Sequence, residues 1–239
     1  MTDFSYIGAE LEIFQHATNW KTYYGNLIRP YFGKEVLEVG AGIGATTQTL
    51  CDGDYDRWVC LEPDPQMIAE INVKIEKAEL PKCCRTMTNT LAGMDADEKF
   101  DAIIYIDVLE HIEHHAEETA AAARHLKDGG HLVVLSPAHQ FLYTPFDKAI
   151  GHYRRYNKKS LSAVIPGELE KVKLVYLDSI GAFASIANKV ALRQSMPTLK
   201  QILLWDKKIV PVSTFIDPLI GYLAGKTIIG IWRKTPSGK

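Results

Sequence analysis

Val36-Leu37-Glu38-Val39-Gly40-Ala41-Gly42-Ile43-Gly44-Ala45-Thr46-Thr47 is the stretch that decides how this chain folds. An apolar run, Val36 to Val39, feeds Gly40, Gly42 and Gly44, and a polar helix start, Thr46-Thr47-Gln48, follows at once. The order is strand, tight turn, helix N-terminus. Glycine has no Cβ, so the backbone N–H groups of such a turn can approach a ligand closely. The formal G-x-G-x-x-G/A dinucleotide pattern is met, with Ala45 in the last place. Glu38 points elsewhere. It stands two residues before Gly40, and no Lys or Arg lies from Val36 to Cys51. A diphosphate would meet a carboxylate here and no cation. A ligand with positive ammonium and sulfonium groups would be welcome. The plainer alternative is a solvated strand-end acid beside a turn.

Outward from this loop the chain alternates apolar strands with helical periodicity. Leu11, Phe14, Ala17, Trp20, Tyr24 and Ile28 recur at three- and four-residue steps, which predicts a helix over 7–31, ended by Pro30 and Gly33. Strands are expected at 36–39, 58–61, 84–87, 100–106, 132–135, 171–177 and 226–232. Helices are expected at 67–78 and 113–127, the second stopped by Gly129-Gly130. This order implies an α/β, Rossmann-like, doubly wound and mostly parallel seven-stranded sheet, with helices on both faces. Residues 178–224 are too long and apolar for a bare loop, which predicts a helical insertion before the last strand. One domain is expected: an N-terminal helical lid (1–33), a cofactor core (34–139), an acceptor-side part (140–224) and a last strand with tail (225–239).

Composition limits the function classes. The 239 residues carry a formal net charge of −2, which gives no overall electrostatic case for nucleic acid. Cys51, Cys60, Cys83 and Cys84 show no zinc spacing and read as reduced thiols of a cytoplasmic protein. The start MTDFSYIGAELEIF lacks a basic head before an apolar run, so no signal peptide is expected. No apolar stretch reaches the ~20 residues of a membrane span, so stable membrane insertion is not expected.

In a doubly wound sheet the ligand sits outside the carboxyl ends of the strands. Those ends are Glu38 to Gly44, Glu62 to Asp64, Asp107 to His111, and Ser136 to His139. Glu62 lies 22 residues after Gly40, where a carboxylate can hold both hydroxyls of a ribose. Asp64 is a weaker candidate for that task. Pro63 and Met67 are placed to pack on an adenine face, and Asn89 or Thr90 to read its edge. Asp107 and Val108 would lie beneath the rest of the cofactor.

The set VLEVGAGIG, LEPD, FDAIIYIDVLEHI and GGHLVVLSPAH resembles class I methyltransferases that use S-adenosyl-L-methionine (SAM). PAHQFLYTPFDKAIGHYRRYNKKSL, with the late segment LLWDKKIVPVSTFIDPLIGYLAGKTIIGIWRK, is similar to a bacterial group that often accompanies glycosyltransferases and surface-glycan or natural-product pathways. The likeness runs from about Phe14 to Lys234. It implies SAM as cofactor and S-adenosyl-L-homocysteine as product. Glu38, Gly40, Ala41, Gly42 and Gly44 become the methionine loop, Glu62 the ribose acid, and Asp107, Val108 and His111 the floor near the methyl group. Asn89 departs from the family's usual Asp.

Methyl transfer from a sulfonium is an in-line displacement. It needs alignment, exclusion of water and, for a hydroxyl or ammonium acceptor, a proton acceptor. The candidate bases are His111, His139 and His152. His111 could instead cap local backbone, and His114 and His115 read as solvated helix residues. Arg154 and Arg155 could hold an acidic acceptor group, or pair with Asp147 or Glu110. Tyr153 and Tyr156 could stack on a ring, and Trp20 on the lid joins them as an acceptor-side residue. The acceptor is expected to be a small molecule or glycan intermediate, methylated on oxygen or nitrogen. Asp107-x-x-Glu110-His111 with His152 also resembles the E-x-x-E-H metal site of small-RNA 2′-O-methyltransferases, with the first acid shortened. No metal is assigned, and Mg²⁺ is the ion that site would take. The competing functions are a nicotinamide oxidoreductase, an aminopropyltransferase and a catalytically silent SAM-binding partner protein.

Overall fold

The computed structural model describes residues 10–191 and 197–236. Its strands are β1 (Glu35–Val39), β2 (Arg57–Leu61), β3 (Cys84–Met87), β4 (Phe100–Ile106), β5 (Leu126–Pro137), β6 (Leu169–Leu177) and β7 (Thr227–Lys234). They form one sheet in the order β3-β2-β1-β4-β5-β7-β6. The first five strands run parallel to one another. β7 runs antiparallel between β5 and β6. Strand order reverses between β1 and β4, and this is where an open α/β sheet leaves its crevice.

The central strands read as unbroken apolar runs because both faces are covered. Along β4, Ala102 and Ile104 enter one core, while Ile103 and Tyr105 enter the other. Val36 and Leu37 divide in the same way on β1. Each such fully buried aliphatic side chain contributes about 1.5–3 kcal/mol.

The helices are α1 (Glu10–Phe14), α2 (Thr18–Ile28), α3 (Ala45–Leu50), α4 (Pro65–Glu76), α5 (His115–His125), α6 (Pro145–Ala149), α7 (Lys158–Ser162), α8 (Ser179–Ala191), α9 (Leu199–Leu204) and α10 (Val210–Leu219). A π turn, Trp205–Ile209, joins α9 to α10. The insertion is thus helical, as its length and composition require.

Two elements differ from the sequence reading. The helix expected over 7–31 is broken, and residues 7–9 of it lie outside the described residues. The Lys21 ammonium reaches back from α2 to the carbonyls of Phe14 (2.6 Å) and Gln15 (3.3 Å), closing the end of α1. The helix expected to run to Lys127 stops at His125, and β5 starts at once with Leu126 beside Phe100. The pairing of β4 with β5 then slips between Phe100 and Ala102, and Gly130 sits in that irregularity. A Cβ on Gly130 would lie 2.9–3.1 Å from the carbonyl oxygens of Lys127, Asp101 and Phe100. The glycine pair shapes a bulge inside a strand and does not stop a helix.

Candidate active site

The glycine loop leaves β1 with Gly40, Gly42 and Gly44 all at positive φ (67°, 55° and 76°). Gly40 also packs tightly: a Cβ there would stand 2.7 Å from Val108 Cγ2, at the end of β4. The loop is tied to β2 by Gly40 N–H and Ala41 N–H, which donate to the Leu61 carbonyl at 2.8 and 3.2 Å. Leu11 of α1 lies nearest to Gly42 from above, so the N-terminal helix stands over the loop. Lys74 of α4 donates to the Ile43 carbonyl at 2.6 Å.

Glu62 sits at the carboxyl end of β2, nearly buried. Its two oxygens accept from Gly42 N–H (3.0 Å) and Asp64 N–H (3.1 Å). Burial raises its carboxyl above the usual range against the pull of these two N–H groups. Asp64 is buried and caps α4, accepting from Gln66 N–H at 2.8 Å. Met67, in the first turn of α4, lines a groove of about 620 Å³ with Ile43, Asp64 and Gln66 on one side and Leu11 and Ile13 on the other.

Glu38 corrects the electrostatic reading. Its carboxylate is buried beneath the loop, where Oε2 accepts from Thr47 Oγ1 (2.7 Å) and Trp58 Nε1 (2.8 Å). Burial pushes it up to about 7, against those two bonds. It fastens β1 to α3 and β2. The acid that opens on the cleft is Asp107, held at φ 55° after β4. Desolvation raises it to about 6 against the fields of His152, Lys21 and Lys226. Lys21, lowered to about 8 by burial, was not singled out in the sequence. It sat inside an unremarkable helix, and only the fold brings it near Asp107 and Asp206.

The next turn gathers the chemistry. Glu110 is fully buried and accepts from Ser136 Oγ at 2.5 Å through Oε2. Its Oε1 has no hydrogen-bond partner and lies 3.9 Å from His152 Nε2. Burial first, then Asp107, raises Glu110 to about 8. His152 Nδ1 lies 3.0 Å from Asp147 Oδ1. Burial would lower His152, but the Asp147 bond and the charges of Glu110, Asp147 and Asp107 outweigh it and hold the imidazole above its ordinary 6.5. The ring of His111 meets that of His152 edge-on, centroids 4.4 Å apart. Burial, then His152, lowers His111 to about 4. Ligand atoms of Glu110, His111 and His152 all fall within 4.8 Å of one another, which suits a divalent cation. The thiols of Cys51, Cys83 and Cys84 cluster within the same limit, a proximity their spacing did not reveal.

Several expected site residues are spent elsewhere. His139 is packed between Phe141 and Tyr176, at ring separations of 5.2 and 4.6 Å, apart from the His111–His152 pair. Arg155 forms a fork on Asp147, through Nε at 2.7 Å and Nη2 at 2.9 Å. Arg154 donates to the carbonyls of Ile112 and Glu113. Both guanidiniums staple the 151–156 segment to the core. Tyr156 is buried with its hydroxyl on His115 Nδ1 (2.6 Å) and the Leu109 carbonyl (3.2 Å), so it is no stacking platform. Tyr153 stands half exposed beside Arg154. Trp20 is buried against Tyr24 and Trp205. Asn89 accepts from Thr90 N–H and donates to the Gly93 carbonyl, both at 2.8 Å, so its amide braces its own turn.

Residues 37–132 match a family model described as a methyltransferase domain. The chain is 29% identical over 160 residues to the demethylmenaquinone methyltransferase of Tropheryma whipplei strain Twist, covering 65% of this chain and 62% of that protein. The chain therefore spans less than two thirds of that relative's length. The N-methyltransferase NodS of Bradyrhizobium japonicum WM9, solved with S-adenosyl-L-homocysteine, has the same fold at a TM-score of 0.57 and 15% identity, over 92% of this chain and 88% of NodS. The [4+2]-cyclase SpnF matches at 0.63 and 14% identity, over 90% of this chain and 82% of its own. With the glycine loop and the β2 acid in place, residues 37–132 match a methyltransferase domain, and the chain shares the fold of the solved methyltransferases.

Proposed function

We propose that the chain transfers the methyl group of SAM to an oxygen or nitrogen of a small-molecule or glycan-type acceptor. Gly40, Ala41, Gly42 and Gly44 hold the methionine part, Glu62 the ribose, and Asp107 faces the positive end of the cofactor. His152 takes the acceptor's proton, with Asp147 orienting its imidazole. In this reading residues 10–33 cover the cofactor, and 140–224 wall the acceptor side. The observation that carries the reading is the Asp147–His152 contact of 3.0 Å beside the β4 end, where Asp107 feels the charge of His152. A dyad of this kind keeps an imidazole oriented and basic. The demethylmenaquinone methyltransferase relative supports a small organic acceptor. SpnF is a reminder that this fold alone does not decide the reaction. The test is methyl transfer from labelled SAM into a cell extract by the purified chain. His152→Ala should lower it by roughly 10²–10⁴ with SAM affinity unchanged. Undiminished transfer would remove His152 as the base.

One observation favours a second reading of the same turn. Glu110 Oε1 is buried without a partner and is aimed at His152. A divalent cation held by Glu110, His111 and His152 would satisfy it and would itself activate a hydroxyl acceptor. Equilibrium dialysis with Mg²⁺, Mn²⁺ and Zn²⁺ separates the two. Stoichiometric binding that Glu110→Gln abolishes supports the metal, and absence of binding leaves the dyad.

A further inference from the structure

From Leu199 to Leu219 the chain is one continuous helical rod, α9, the π turn and α10. Ile202, Trp205 and Val210 join the core, but polar residues are buried on the rod as well. Ser213 and Asp217, four residues apart, face inward and are fully buried. Ser213 Oγ donates to Asp178 Oδ1 at 2.6 Å, and Asp217 accepts from the Tyr23 hydroxyl (2.8 Å) and from Asp178 N–H (2.7 Å). The opposite face carries Leu204, Val212, Phe215 and Leu219, with exposures of 60%, 47%, 69% and 69%. Lys208 joins this row between Leu204 and Val212, at helical steps of four, and Lys207 and Lys200 are exposed beside it. In α8, Phe183 and Ile186 stand exposed as well. A helix in water places its polar side outward. This one exposes a row of large apolar side chains among its lysines, so that outer row is suited to a less polar surrounding.

Charge identifies that surrounding. Residues 178–224 contain the acids Asp178, Asp206 and Asp217 only, and all three are buried, at 0%, 1% and 0% exposure. Asp206 is bound to the start of α2 through Trp20 N–H at 2.9 Å. The surface of the insertion therefore shows lysines and apolar side chains with no acid among its described residues. No helix of the described residues is long and apolar enough to cross a membrane. We infer that the α9–α10 rod docks flat on an anionic lipid bilayer, Leu204, Val212, Phe215 and Leu219 entering the headgroup boundary and Lys200, Lys207 and Lys208 meeting lipid phosphates. Trp205, whose indole packs on Trp20 and whose Nε1 donates to Asp178, links the rod to the cleft side of the molecule. Docking therefore sets the acceptor side beside the membrane.

The test is flotation of the full chain with phosphatidylcholine vesicles, with and without phosphatidylglycerol. The chain should float with the anionic vesicles, less with the neutral ones, and less again as salt rises. Phe215→Ser with Leu219→Ser should weaken binding by about tenfold or more. Lys207→Glu with Lys208→Glu should weaken it by about fivefold per lysine. These positions are exposed, so cofactor affinity should stay unchanged and serves as the control for folding. Failure to float with anionic vesicles at low salt would overturn the inference. So would equal flotation of the serine variant, or a dimer in light scattering that this variant breaks while wild type ignores vesicles.

Discussion

Glu38 shows how a residue marked in the sequence by its place before the glycines is also tied into the fold by hydrogen bonds. The sequence marks it as the acid in front of the glycines, but strand alternation sends its side chain under the loop, onto Thr47 and Trp58. Its carboxyl is raised from 4.5 to about 7. A raised carboxyl contributes stability below its unfolded value, and that contribution is lost as pH rises through the folded value. Glu38→Gln cannot ionise and keeps an acceptor oxygen. Relative to wild type it should gain about 3 kcal/mol between pH 4.5 and 7. Thermal unfolding across that range checks it, and a pH-independent difference would mean that Glu38 is not the buried neutral acid described. Glu38→Ala should instead cost about 2–4 kcal/mol, since it strands a buried indole N–H and a hydroxyl.

His152 supplies the second residue-scale prediction. It must be neutral to accept a proton, and its imidazole is held above 6.5. Activity should therefore rise with pH through a limb above that value. Asp147→Asn removes the charge that holds it there, so the limb should move to lower pH by about one unit as the rate falls. A limb that stays in place would reject the dyad. The sequence named His152 and Asp147 but could not pair them over Arg155, because a guanidinium fork on a carboxylate is a fact of geometry. The same fork engages Arg155 with Asp147.

Among the elements, the glycine loop was the most legible, because three glycines after an apolar strand leave few conformations. Contact decides what each glycine does. Gly42 has Leu11 at 3.4 Å from its notional Cβ, whereas Gly40 has Val108 at 2.7 Å. Gly40→Ala should lose about 1–2 kcal/mol from positive φ alone and weaken SAM binding further by pushing against Val108. Val108→Ala in the same chain should restore part of that loss. If Gly40→Ala is silent in both unfolding and SAM binding, the loop is not the tight platform described. The β5 start was less legible. Gly129-Gly130 carries the same local signal whether it ends a helix or forms a bulge, and the choice is made by long-range pairing with Phe100 and Ala102.

At the scale of the molecule, strand alternation made the doubly wound sheet readable, and with it the crevice between β1 and β4. The helical insertion was readable as helix from its length and composition. Its orientation was not, since an apolar stripe in a sequence ordinarily means a buried face. Only the burial of Ser213, Asp217 and Asp178 in one hydrogen-bonded group shows that the stripe faces out. In the proposed function the glycine loop and Glu62 take a nucleoside with a positive tail. Titration calorimetry with S-adenosyl-L-homocysteine tests this most directly. Wild type should bind it and not NADH, and Glu62→Ala should bind at least about tenfold more weakly, a loss of ~1.4 kcal/mol or more, while retaining its fold. Equal affinity in Glu62→Ala, or NADH bound in place of the homocysteine ligand, would contradict the account.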